Sequence, residues 1–126
     1  MSEWVAYVPL RDSLEDFEKE FNVSLPSDLK VIIQNYNKGC PKKNKIPLGD
    51  GKYIEISNLI SFNKKGVTNI YMLMKLFENT NIIPFAMTEG NRFICIANNK
   101  VVLYKTDTGI VKEICSSVTE LLGMLE

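Results

Sequence analysis

Residues 82–114 constrain this chain more than any other stretch. Ile82-Ile83-Pro84-Phe85-Ala86, Arg92-Phe93-Ile94-Cys95-Ile96-Ala97, Val101-Val102-Leu103-Tyr104 and Ile110-Val111-Lys112-Glu113-Ile114 are four short runs rich in β-branched and aromatic residues. Glu89-Gly90-Asn91, Asn98-Asn99-Lys100 and Asp107-Thr108-Gly109 separate them. Strand-forming runs punctuated by Gly, Asn and Asp turns describe an antiparallel β-meander. A meander has an apolar face that must be covered. The remaining segments read as its cover.

Four helices are expected. Ser13 can cap the first, with Asp16 three residues on completing a capping-box pattern. Leu14, Phe17 and Phe21 form its apolar stripe, and the acidic outer face reads as solvated. A second helix restarts at Leu25-Pro26, with Pro at the first helical position. Leu29, Ile32, Ile33 and Tyr36 line it, and Gly39 is expected as its left-handed stop. Residues 40–52 read as a loop with Ile46-Pro47-Leu48 as an edge strand. Tyr53-Ile54-Glu55-Ile56 and Leu59-Ile60-Ser61-Phe62 read as two short strands. A third helix spans about Asn69 to Glu78, with Ile70, Leu73, Met74 and Phe77 facing inward. Ser117-Val118-Thr119-Glu120 is a second capping box, opening a helix with Val118, Leu121, Leu122 and Leu125 on one side. The first apolar stretch, Trp4-Val5-Ala6-Tyr7-Val8, fits a strand or a helical turn. The fold class is therefore α+β: a mainly antiparallel sheet packed with about four helices. A length of 126 residues fits a single domain over 1–126. A chain of this size buries roughly two-thirds of its unfolded surface.

Composition narrows the function. The net charge is zero, so nothing draws the whole chain to nucleic acid or an anionic membrane. Charge is uneven along it: −3 over 1–39, +5 over 40–75 and −2 over 76–126. The basic band carries lysine and no arginine, unlike a nucleic-acid surface with interleaved arginine and aromatics. It reads as solvated loop. No run approaches the ~18 apolar residues of a membrane span. The N-terminus lacks the pattern of a signal peptide. Cys40, Cys95 and Cys115 are odd in number and widely spaced, which fits buried thiols in a reducing cytoplasm.

The chain has no histidine. That removes the commonest general base and metal ligand together. Serine and cysteine nucleophiles lack a partner, and no Cys/His cluster offers a zinc site. Neither Gly49-Asp50-Gly51 nor Gly90-Asn91 lies in a phosphate-loop pattern. Asp50, Glu55, Glu89 and Asp107 could supply a carboxylate pair only by converging in space; turn and surface roles account for each separately. No catalytic residue, metal ligand or cofactor is expected. Binding of another macromolecule is what remains.

Several stretches resemble a known family. Leu25-Pro26-Ser27-Asp28-Leu29 leading to Tyr36-Asn37-Lys38-Gly39 resembles the second helix of the SUKH superfamily, the Smi/Knr-like cell-wall-regulator type. Ile83-Pro84-Phe85-Ala86, then Gly90-Asn91 and Cys95-Ile96, resembles its central segment. Val101-Val102-Leu103-Tyr104 and Ser116-Ser117-Val118-Thr119-Glu120-Leu121-Leu122 resemble its closing strand and helix. The resemblance runs in order over about residues 14–125. Departures stand at Thr88-Glu89 and Ala97, where the family pattern has Asp, at Val118 for Phe, and at Lys38-Gly39 for Gly-Gly. The resemblance implies an α+β fold and protein binding. Many bacterial members look like immunity proteins that neutralise a co-encoded toxin, often a nuclease; fungal relatives serve as interaction scaffolds in signalling. The 13 lysines, 13 isoleucines and 12 asparagines suggest an AT-rich bacterial genome, in keeping with the immunity reading.

A basic toxin cleft would be met by carboxylates. The expected contact set is therefore acidic: Glu15 and Glu18 on the first helix, with Glu89, Asn91, Arg92 and Asp107 on the meander turns. The alternative surface is the lysine band Lys42, Lys43, Lys45, Lys64 and Lys65.

Overall fold

The structure, a computed structural model, describes residues 3–66, 68–90 and 92–126. In chain order it comprises β1 (Trp4–Val5), α1 (Leu14–Phe21), α2 (Ser27–Tyr36), β2 (Cys40–Pro41), β3 (Lys45–Gly49), β4 (Lys52–Leu59) and α3 (Ile70–Leu73). A 3-10 turn (Met74–Phe77), β5 (Ile82–Thr88), β6 (Arg92–Ala97), β7 (Lys100–Lys105), β8 (Val111–Cys115) and α4 (Val118–Met124) follow. Strands β3 to β8 form one antiparallel sheet in sequence order, and β1 and β2 make a separate short ladder. The fold is α+β, with four α-helices among the described residues.

The meander follows from its turns. Asn98 and Asn99 both take positive φ, 52° and 61°, as the tight two-residue hairpin between β6 and β7 requires. Gly90 and Gly109 supply left-handed positions at the other two turns. Pro84 is tolerated inside a central strand because the β5–β6 register shifts beside it, between Pro84 and Ala86.

Both faces of the sheet centre are apolar. Phe85, Ile94, Ile96, Val101 and Leu103 join Phe17, Leu29, Ile33 and Leu121 of the helices in one core. On the reverse face Cys95 and Val102 lie under Phe77. The Phe77 ring meets Phe93 and Tyr104 edge-on at 5.9 and 4.9 Å. The third helical segment is what carries Phe77 there. The expected helix over 69–78 instead splits into α3, capped by the Asn69 side chain accepting from Met72 N–H at 3.0 Å, and the tighter 3-10 turn.

Other differences have local causes. Where two strands are expected over 53–56 and 59–62, the chain forms one eight-residue strand, Lys52–Leu59. The β4–β5 register shifts between Ile56 and Asn58, and the strand ends at Leu59. Beyond it, the Phe62 N–H donates to Asn37 Oδ1 at 2.8 Å rather than to a strand. Pro26 sits at the cap of α2, not in its first turn, and its carbonyl accepts from Lys30 N–H. The left-handed residue after α2 is Lys38, φ 66°, not Gly39. Gly39 is required by space: a Cβ there would stand 2.8 Å from the Tyr36 carbonyl and 3.0 Å from Tyr7 Cβ. Of the first stretch only Trp4–Val5 forms a strand, with Trp4 stacking on Tyr36 at 5.2 Å between ring centroids, and Ala6 turns the chain with φ 59°.

Two polar residues clamp the helices. Asp28 Oδ2 accepts from both the N–H and the hydroxyl of Thr119 at 3.0 Å, joining the start of α2 to the start of α4. Glu18, expected on a solvated face, instead accepts from Leu25 N–H at 2.7 Å and pairs with Lys30 at 2.9 Å. Burial raises the Glu18 pKa, but hydrogen bonds from Lys30 and the Leu25 N–H and the Lys30 charge outweigh it and leave it lowered. A lowered carboxylate pKa contributes stability above its ordinary value of 4.5 that is lost as pH falls through the folded-state value. Glu18→Gln should therefore cost about 1–2 kcal/mol near neutral pH. Urea midpoints of the two proteins should converge below pH 4; a gap that is the same at pH 3 and pH 7 would refute the charge argument.

Candidate partner-binding surface

The β5–β6 and β7–β8 turns lie at one end of the sheet, and the β6–β7 turn at the other. At the first end Glu89, Gly90, Arg92, Lys105 and Asp107 line a surface cavity of about 410 Å³. Thr88 builds that end from beneath. It is buried, and its hydroxyl lies 3.3 Å from the Glu89 carbonyl and 3.2 Å from that of Arg92, within donating distance of both. Arg92 Nε and Nη2 both donate to the Glu89 carbonyl at 3.3 Å, folding the guanidinium over its own turn. Glu89 and Asp107 are exposed and make no ion pair among the described residues. The structure thus brings Glu89, Arg92 and Asp107 together, with Lys105 beside them. Asn91 lies outside the described residues. Glu15 is exposed on α1 and does not line the cavity. Glu18 does not either, and its carboxylate is occupied as described.

The lysine band is partly engaged. Lys42 pairs with Glu3 at 2.7 Å. Lys45 lies over the Tyr53 ring and Lys64 over that of Tyr71, at 4.8 and 5.3 Å. Asp50 and Glu55 do not line the cavity that holds Glu89 and Asp107. Among the described residues, no three His, Cys, Asp or Glu side chains are grouped to hold a metal ion. Cys95 is fully buried, and burial pushes its thiol pKa far up; burial also raises those of Cys40 and Cys115. All three remain thiols at neutral pH rather than nucleophilic thiolates. No helix among the described residues is long and apolar enough to cross a membrane.

A larger groove at the opposite end went unread in the sequence. It measures about 640 Å³, between the end of α1, residues 78–81 and the β6–β7 turn. Asn22, Asn79, Asn81, Asn98 and Asn99 line it, together with apolar residues that include Phe21, Val23 and Ile83. The signal was the asparagine count. That count reads as base-composition bias, and of these five residues only Asn98 and Asn99 are assigned to a turn from sequence.

The described residues form an α+β fold with helices packed on a six-stranded antiparallel sheet. The SMI1-KNR4 cell-wall family model of the SUKH superfamily matches residues 11–122, and the chain belongs to that family. No curated protein and no solved structure gives a significant match.

Proposed function

We propose that this protein is a non-enzymatic, cytoplasmic immunity protein that neutralises a co-encoded bacterial toxin domain, a nuclease being the type that best fits its carboxylates, by stoichiometric binding. The supporting observation is family membership over 11–122, a family in which many bacterial members look like immunity proteins. Glu89 and Asp107, which make no ion pair among the described residues, are the contact carboxylates of this reading, with Arg92 beside them; Asn91, the residue before Arg92 in sequence, and Glu15 and Glu18 of α1 complete the expected set. The test is co-expression with the toxin domain encoded next to this gene, and mixing of the purified pair. Rescue of growth and a one-to-one complex at micromolar concentration are expected; absence of a complex sinks the idea.

Rim charges act mainly on association rate. Glu89→Lys with Asp107→Lys should therefore slow association by about tenfold or more at low salt and flatten its salt dependence. Reversal of Lys42 and Lys43 should leave both nearly unchanged. Stopped-flow mixing at two salt concentrations checks this, and loss of protection from the lysine reversals alone would move the interface to the basic band.

The family's cell-wall description favours a second reading, an interaction scaffold in signalling or cell-wall regulation. A gene without a toxin neighbour, and a pull-down dominated by envelope or signalling proteins, would select it.

A further inference from the structure

We infer that the asparagine-lined groove is a second binding site, built for an extended peptide segment that carries a basic side chain. Eleven of the 12 asparagines are among the described residues. Six of them, at 35, 37, 44, 58, 63 and 69, use their side-chain amides in hydrogen bonds within the protein. The other five make no such bond, and all five line this one groove. Turn geometry explains part of this, since Asn22, Asn79, Asn98 and Asn99 have positive φ. It does not explain Asn81, which is not among the positive-φ residues. Nor does a left-handed backbone require a carboxamide, because glycine fits it as well.

A carboxamide offers one acceptor and two donors, the complement of a peptide group. The groove therefore presents carboxamides matched to main-chain amides, with apolar side chains such as Phe21, Val23 and Ile83 also in its lining. Its lining includes Glu20 and Glu78 but no lysine or arginine. Neither glutamate is ion-paired among the described residues. Charge complementarity thus selects a segment bearing lysine or arginine, and disfavours nucleic acid. A sugar would want an open aromatic face. Phe77 is buried, with Phe93 and Tyr104 against it, and Phe21 packs on Phe17 and Tyr71. The site does not depend on the toxin reading, because Glu89 and Asp107 stand at the other end of the sheet.

The test uses the full chain, labelled with 15N, against a positional-scanning library of capped hexapeptides. Lysine or arginine should be selected at one or more positions. The selected peptides should shift the side-chain amide resonances of Asn79, Asn81 and Asn98. Asn79→Gly with Asn81→Ala and Asn98→Gly keeps the left-handed turns and deletes three carboxamides. It should weaken binding at least about tenfold. Glu20→Lys with Glu78→Lys alters only exposed side chains, so it reports even if the triple variant folds poorly, and it should abolish the selection for basic residues. No selected sequence, or selected peptides that bind both variants as they bind the parent, would overturn the proposal. So would a neutral oligosaccharide array that binds with the same carboxamide dependence while peptides do not. Because Glu89→Lys with Asp107→Lys leaves this groove intact, failure here and failure of toxin binding are separable.

Discussion

Phe85→Ala is expected to destabilise the protein by about 3–5 kcal/mol, the usual cost of emptying a buried aromatic site. Phe85 is 2% exposed and sits on β5, a central strand. Its neighbourhood draws on three elements: Leu29 and Ile32 of α2, Ile56 and Leu59 of β4, and Val118 and Leu121 of α4. Those residues already surround a void of about 10 Å³. They cannot collapse into a larger one, because each is held by its own element. A domain of this size is stable by only about 5–15 kcal/mol, so the loss is a large share of the whole. Equilibrium urea unfolding measures it, with an unchanged slope showing that the native fold persists. A loss under about 1 kcal/mol, the scale of an exposed position, would place Phe85 on the wrong face.

The strands that carry Phe85 and Ile94 were legible in the sequence because composition and flanking turns agree there. Their runs are apolar, their flanks are turn residues, and no other element type fits both. The same agreement carries the cap at Ser13, which accepts from Asp16 N–H at 3.2 Å, and the cap at Ser117, which accepts from Glu120 N–H at 3.0 Å. Where one signal acts alone, the reading slips. Leu59 to Phe62 has the composition of a strand. But the Phe62 N–H donates to Asn37 Oδ1, 25 residues away in sequence, and periodicity does not see such a partner. Phe77 fits an inward helical stripe, yet it covers the reverse face of the sheet, because the chain tightens into a 3-10 turn after Leu73.

The candidate site was less legible for a related reason. A charge read from sequence carries no record of its partner. Glu18 and Glu15 look alike on one helix, but only Glu18 meets Leu25 N–H and Lys30 across the connection to α2. The reverse holds for the residues that carry the family resemblance. Asp28 and Asn37 belong to its motifs, and a surface role would be the simple reading of either. In the structure both are clamps, the half-buried Asp28 between two helix starts and the buried Asn37 under the chain that leaves β4. These two motif residues therefore help close the fold, and in the proposed reading partner contact falls instead to exposed turn residues such as Glu89 and Asp107.

Asn37→Ala tests that division. Asn37 is fully buried. Its Oδ1 accepts from Phe62 N–H at 2.8 Å, and its Nδ2 donates to Ser61 Oγ at 3.4 Å. Its own carbonyl accepts from Val8 N–H at 2.9 Å, so it also anchors the N-terminal segment. Alanine leaves the Phe62 N–H buried without an acceptor and opens a small void. The expected loss is about 2–4 kcal/mol, mostly the desolvation cost of the orphaned donor. Asn37→Asp keeps the acceptor but buries a carboxylate, whose pKa burial would raise. Sign matters here: a carboxyl with a raised folded-state pKa destabilises above that pKa, and the penalty shrinks as pH falls and the group is protonated. Asp should thus be worse than Asn at pH 7 and recover towards it near pH 4, whereas Ala should remain deficient at both. Urea unfolding at the two pH values, with hydrogen exchange at the Phe62 amide, separates these cases. If Asn37→Ala costs less than about 0.5 kcal/mol, within the range of an ordinary surface change, Asn37 is not a clamp. If it leaves stability intact but abolishes partner binding, the motif marks the interface after all.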